Sequence, residues 1–134
     1  MKHSQTIGII SALLLIICCF LPWITINVNG ATLVLNGYFG KVNESLTFGK
    51  QYIPHSFFCG ICILFFLANK VWVKRANMLF TLLNLSWAIK NFIVFGFCRP
   101  ECPTMQIGIY MLVTLAGIML LMSLLPKMEL KKSN

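Results

Sequence analysis

The polar and apolar positions of this chain fall into long blocks instead of a short repeat. Ile7 to Trp23 is apolar except for Ser11, the cysteines and Pro22. Pro54 to Ala68 carries only His55 and Ser56 as polar side chains outside its cysteines. Ala76 to Phe97 is mostly apolar but holds Asn77, Asn84, Lys90 and Asn91, and Met105 to Leu125 contains Gln106, Thr114 and Ser123. A helix needs about 20 residues to span a hydrocarbon core of roughly 30 Å. Extended slightly at their ends, these blocks predict an all-α membrane protein, a four-helix antiparallel bundle with helices at about 4–23, 54–73, 76–97 and 104–125. The whole chain, 1–134, reads as one such domain.

Between the first two blocks the pattern changes. Ile24, Ile26 and Val28 alternate with Thr25, Asn27 and Asn29, which is the period of a strand. Asn29-Gly30 offers a type I′ turn, and Ala31 to Leu35 returns as a second strand. Asn36-Gly37 is a further turn signal, and Leu46 to Ile53 is a weaker third-strand candidate. A small outer β-hairpin or three-stranded cap after helix 1 is therefore expected. A hairpin is marginal alone in water, so it should rest on the bundle or on a partner.

Composition strengthens the membrane reading. The 134 residues are 58% hydrophobic and only 10% charged, less than half the usual charged share of a soluble domain. The net charge is +8, and its placement is informative. Lys2, Lys70, Lys74, Arg75, Lys127, Lys131 and Lys132 fall on one side of the predicted bundle; Lys41, Lys50 and Arg99 fall on the other. Lysine and arginine favour the cytoplasmic side, so both termini are expected there in a multi-pass protein of the cell membrane. The same charge suits anionic lipid headgroups of the bilayer. Nucleic-acid binding would require a concentrated patch or a reading module, and the sequence has neither. The run after Lys2 ends in Leu21-Pro22-Trp23 without a small-residue cleavage site, so helix 1 is expected to be retained. Asn43-Glu44-Ser45 fits a glycosylation acceptor in the outer loop.

Few residues could carry chemistry. Lys90 lies about eight residues inside the outer end of predicted helix 3, or roughly 12 Å at 1.5 Å per residue. Intramembrane charges are costly and often line a path or cavity, although lysine also snorkels toward headgroups. Asn84 and Asn91, seven apart, share one face of helix 3, whereas Ser86 and Lys90 lie toward another. His55 is expected at the membrane interface and His3 in the terminal segment. No phosphate loop, carboxylate pair or nucleophile–base–acid set is present. No ligand series has a convincing metal spacing, so no metal is expected.

The six cysteines are expected in the outer half of the molecule. Cys98 and Cys102 flank an outer loop and could form a disulfide in an oxidising compartment. Cys59-Gly60-Ile61-Cys62 is a C-x-x-C spacing expected next to a membrane boundary. Together the two pairs would suit thiol–disulfide exchange, one thiolate attacking the other disulfide. This arrangement resembles that of the quinone-coupled membrane enzymes that generate disulfides, which also use four helices. The resemblance implies a quinone as cofactor near Lys90 and His55, with Cys59, Cys62, Cys98 and Cys102 as the redox residues. No arginine follows Cys62 closely on helix 2, as it does in that family. The outer β segment rooted at Trp23 is also similar in layout to claudin-like proteins, whose first-loop cysteine pair is missing between residues 24 and 53.

The leading expectation is a small, non-catalytic membrane interaction or accessory subunit, contacting a membrane-protein partner or oligomer through its outer cap or bundle surface and needing no cofactor. A thiol–disulfide oxidoreductase is the alternative, and a small transporter or channel component the further one.

Overall fold

A computed structural model describes residues 3–41, 47, 49–68, 70–97 and 102–125. The described residues form four helices and a three-stranded sheet: α1 Ser4–Cys18, β1 Ile24–Val28, β2 Ala31–Leu35, α2 Tyr52–Leu67, α3 Val71–Gly96, β3 Thr104–Met105 and α4 Ile107–Leu124. Each helix packs closely on two others, in the cycle α1–α2–α3–α4–α1. The sheet gathers the end of α1 and the start of α4, and the loop after β2 reaches the start of α2 through the bond from the Tyr52 amide to the Gly37 carbonyl. Glycine 8 near the start of α1 meets the Phe66 ring near the end of α2. The helices therefore alternate in direction, as short links between neighbours require.

The sheet order is β2-β1-β3. In the hairpin Ile24 pairs with Leu35 and Val28 with Ala31. Asn29 and Gly30 have φ of 52° and 81°, the positive values that a two-residue hairpin turn with right-handed strand twist demands. The third strand is not the expected Leu46–Ile53 segment. Thr104 and Met105, expected to open helix 4, instead pair with Thr25 and Ile24 across the other edge of β1. Three backbone bonds lock this junction: Trp23 to the Leu35 carbonyl, Gln106 to the Trp23 carbonyl and Gly108 to the Pro22 carbonyl.

Helix boundaries also differ from the expected ones. Helix 1 closes at Cys18, and Phe20 and Leu21 then donate to carbonyls three residues back. That tightened turn is a common way to satisfy the last carbonyls of a helix. Helix 3 begins at Val71, so Lys74 and Arg75 lie in its first turns instead of in a link. The Lys74 ammonium donates to the Phe66 carbonyl at 3.0 Å, a lysine satisfying a helix C-terminus. Glycine 108 is required at the start of α4, because a Cβ there would collide with the Pro22 carbonyl.

Two helices, Val71–Gly96 and Ile107–Leu124, are long and apolar enough to cross a membrane by length and composition; Ser4–Cys18 and Tyr52–Leu67 are shorter apolar helices. Large hydrophobic side chains are exposed along all four, among them Leu13, Ile17, Phe57, Leu64, Leu82, Ile93 and Leu121. Polar side chains instead turn inward at His55, Asn77, Thr81, Asn84, Asn91 and Ser123.

Candidate functional site

The buried face of α3 is Val73, Lys74, Asn77, Thr81, Asn84, Ala88, Asn91 and Phe95. Spacings of three and four put these residues on one stripe of a helix, and the sequence places a polar side chain on most of its turns. Asn84 and Asn91 thus share the inner face, as expected, while Ser86 and Lys90 are exposed on the other side.

His55, expected at the membrane interface, lies in the first turn of α2 and turns its ring inward. It is fully buried, on the inner face of α2 together with Cys59, Cys62 and Phe66. The physical reason is its partnership with α3. His55 Nδ1 lies 2.8 Å from Asn84 Oδ1, and Asn91 Nδ2 lies 3.1 Å from His55 Nε2. An amide oxygen only accepts, so Nδ1 carries the hydrogen and Nε2 accepts from Asn91, which is the neutral imidazole. Asn84 Nδ2 then reaches two sulfur atoms, Cys59 Sγ at 3.8 Å and Met119 Sδ at 3.7 Å. The edge of the arrangement is closed by Trp23, whose ring meets His55 at 6.3 Å and Phe95 at 5.1 Å between centroids. Its indole N–H donates to the Cys18 carbonyl at 2.9 Å.

One polar atom of this centre is left over. Asn91 Oδ1 is buried with no hydrogen-bond partner, and the same holds for both side-chain atoms of Asn77 four turns away. Between them the Thr81 and Ser123 hydroxyls meet at 2.9 Å and fasten α3 to α4.

The cysteines are arranged differently from the expected boundary pair. Cys59 is near the middle of α2 and Cys62 lies beyond it toward the end away from the sheet; both are fully buried. Cys18 at the end of α1, Cys19 just after it, and Cys59 and Cys62 on the inner face of α2 are buried free thiols. Cys102 is disulfide-bonded. Cys98 and the Asn43-Glu44-Ser45 segment lie outside the described residues. Helix 2 starts with Tyr52, so the C-x-x-C begins seven residues on, near the middle of the helix. Among the described residues, no group of three or more His, Cys, Asp or Glu side chains is placed to hold a metal ion.

Lys90 does not join the His55 centre. It is exposed on the outside of α3, with its ammonium 4.5 Å from the centre of the Trp87 ring. Trp87 in turn donates through Nε1 to Gln51 Oε1 at 3.0 Å, and Gln51 immediately precedes α2. Through Trp87, Lys90 therefore stands near the segment that opens α2. On the opposite flank of the same turn, Phe20, Tyr38 and Tyr52 cluster with centroids 5.4–5.9 Å apart, and Lys50 lies 5.7 Å from the Tyr38 ring. Sequence reasoning did not single out this rim. Asn36-Gly37 was its visible signal: Asn36 Oδ1 accepts from the Tyr38 and Phe39 amides, and holds both half-exposed rings in place.

The architecture defines a class: a four-helix bundle with an apolar exterior and a polar stripe set into a mostly apolar core, capped at one end by a small sheet. No family model, curated protein or solved structure matches the chain.

Proposed function

We propose that this chain spans the membrane four times, with both termini cytoplasmic and the sheet outside, and serves as a non-catalytic interaction or accessory subunit. The observation that carries the reading is the apolar exterior: large hydrophobic side chains cover the outside of all four helices, while the hydrogen-bonding side chains of α2, α3 and α4 face inward among an apolar core. Lipid suits that surface, and interhelical hydrogen bonds are a means of association where lipid removes the hydrophobic drive between helices. The tight turn after Cys18 lengthens the apolar run of α1 to Leu21, and α2 has 16 residues, about 24 Å at 1.5 Å per residue. Aromatic residues at the rim, Phe20, Tyr38, Tyr52 and Trp87, with Trp72 at the other end, suit the two headgroup zones. The Cys102 disulfide agrees with an oxidising outer side.

The non-catalytic part rests on how the interior is used. His55, Asn84, Thr81 and Ser123 are committed to holding helices together, and the four free thiols are buried. The half-exposed Tyr38 and Phe39, set by the Asn36 turn, are the surface offered to a membrane-protein partner. A photo-crosslinking residue at position 38 should trap one defined partner in native membranes, whereas the same residue at Leu64, on the lipid-facing side, should not. A chain that purifies alone with no adduct at position 38 would end the accessory reading. Replacing both Cys59 and Cys62 by alanine should leave that adduct intact.

A further inference from the structure

The stripe along α3 has a chemical imbalance at its two ends. Asn77 is almost wholly buried, yet neither its amide nitrogen nor its oxygen has a hydrogen-bond partner. At the other end Asn91 gives its nitrogen to His55 and keeps an oxygen that nothing satisfies. Buried amides without a protein partner are costly, and polar sites of this kind are where internal water is held.

We infer that the bundle binds water at two interior positions on α3, one at Asn77 and one at Asn91 Oδ1. The chemistry of each site selects this ligand. Asn77 needs a donor and an acceptor together; an anion would engage its N–H groups and leave its oxygen bare, and a cation would do the reverse. Water supplies both. Asn91 Oδ1 needs only a donor, and His55 cannot provide one while its Nε2 accepts from the same amide. Lys74, three residues before Asn77 on the same buried face, spends one of its three N–H donors on the Phe66 carbonyl. It is a ready further partner for water on that face. The stripe between the sites is already satisfied, by Thr81 with Ser123 and by Asn84 with His55. The result is two separate hydrated positions about 14 residues apart, roughly 21 Å at 1.5 Å per residue, divided by a water-free middle.

This inference does not depend on the four-span reading, because it follows from the packed interior alone. It is tested on the unmodified full chain in detergent micelles with asparagine side chains labelled by 15N. Magnetisation transfer from water to the side-chain amide protons is then measured by paired laboratory-frame and rotating-frame experiments. Asn77 and Asn91 should show direct, long-lived water contacts, and Asn84, whose atoms are all engaged, should show none. The inference is overturned if Asn77 shows contacts only to protein protons, or if Asn84 reports water as strongly as Asn77 does. A control variant, Asn77→Leu, has no side-chain amide at that position and so assigns its signal; the water contact of Asn91 should persist in it, and loss of that contact would overturn the two separate positions.

Discussion

The two ends of the bundle are held by different means. At the sheet end, backbone and side chain cooperate: three backbone bonds tie the Pro22–Trp23 segment to β2 and the start of α4, Trp23 fills the space above His55, and the His55 imidazole bridges two asparagines. At the far end, among the described residues, side chains make the joints: the hydroxyl pair of Thr81 and Ser123, the Lys74 ammonium on the Phe66 carbonyl and the edge contact of Phe65 with Phe80. The far end also holds Asn77, the one side chain of the buried stripe with neither amide atom matched by protein. The two ends of a bundle can thus be joined by different chemistry without any change in the apolar character of its exterior.

Substitutions that weaken one end should rank accordingly. Trp23→Ala removes the largest fully buried side chain and should cost about 3–5 kcal/mol, read as lost helical signal in a detergent denaturation series. A cost near that of an ordinary surface change would dismiss the sheet end as the stronger one. Asn84→Ala leaves the His55 Nδ1–H without its acceptor and should cost about 1–3 kcal/mol; if Asn84→Asp restores the loss at neutral pH, the acceptor alone was needed. Gly108→Ala drives a Cβ into the Pro22 carbonyl, where backbone has to move, at roughly 1–3 kcal/mol. Gly8→Ala meets only the Phe66 ring at the far end and should be milder in the same assay. Ser123→Ala removes one interhelical hydroxyl pair and should cost only about 0.6 kcal/mol, the usual scale for such bonds in membrane bundles. Equal losses for Ser123→Ala and Asn84→Ala would erase the distinction between the ends.

Much of this fold could be read in advance where local chemistry decides it. Asn29-Gly30 announces a turn because both positions must take positive φ, and the alternation on either side announces the strands. The shared face of Asn84 and Asn91 follows from helical spacing. The third strand was hidden because two residues carry no period; Thr104 and Met105 are extended only because β1 has a free edge beside them. His55 read as interfacial since a histidine near Pro54 looks like a helix start, and nothing local reveals two asparagines on another helix. The C-x-x-C pair sits near the middle of its helix, which begins two residues before the proline that suggested its start. The place of Lys90 beside the segment that opens α2 was hidden because the indole link to Gln51 that locates it is a contact between helices.

The central position of β1 has a consequence for how the chain is assembled. Its first partner, β2, follows almost at once, but its second waits until α2 and α3 have been made; the Gln106–Thr25 bond that seals this edge joins residues 81 apart. During synthesis the hairpin therefore exists for a time with one edge unpaired, and such edges are where nascent chains go astray. Arrival of the segment before α4 removes that exposure in a single step. Completion of the sheet thus reports that the last helix has reached its place, which makes residues 104–106 the latch of the assembly pathway.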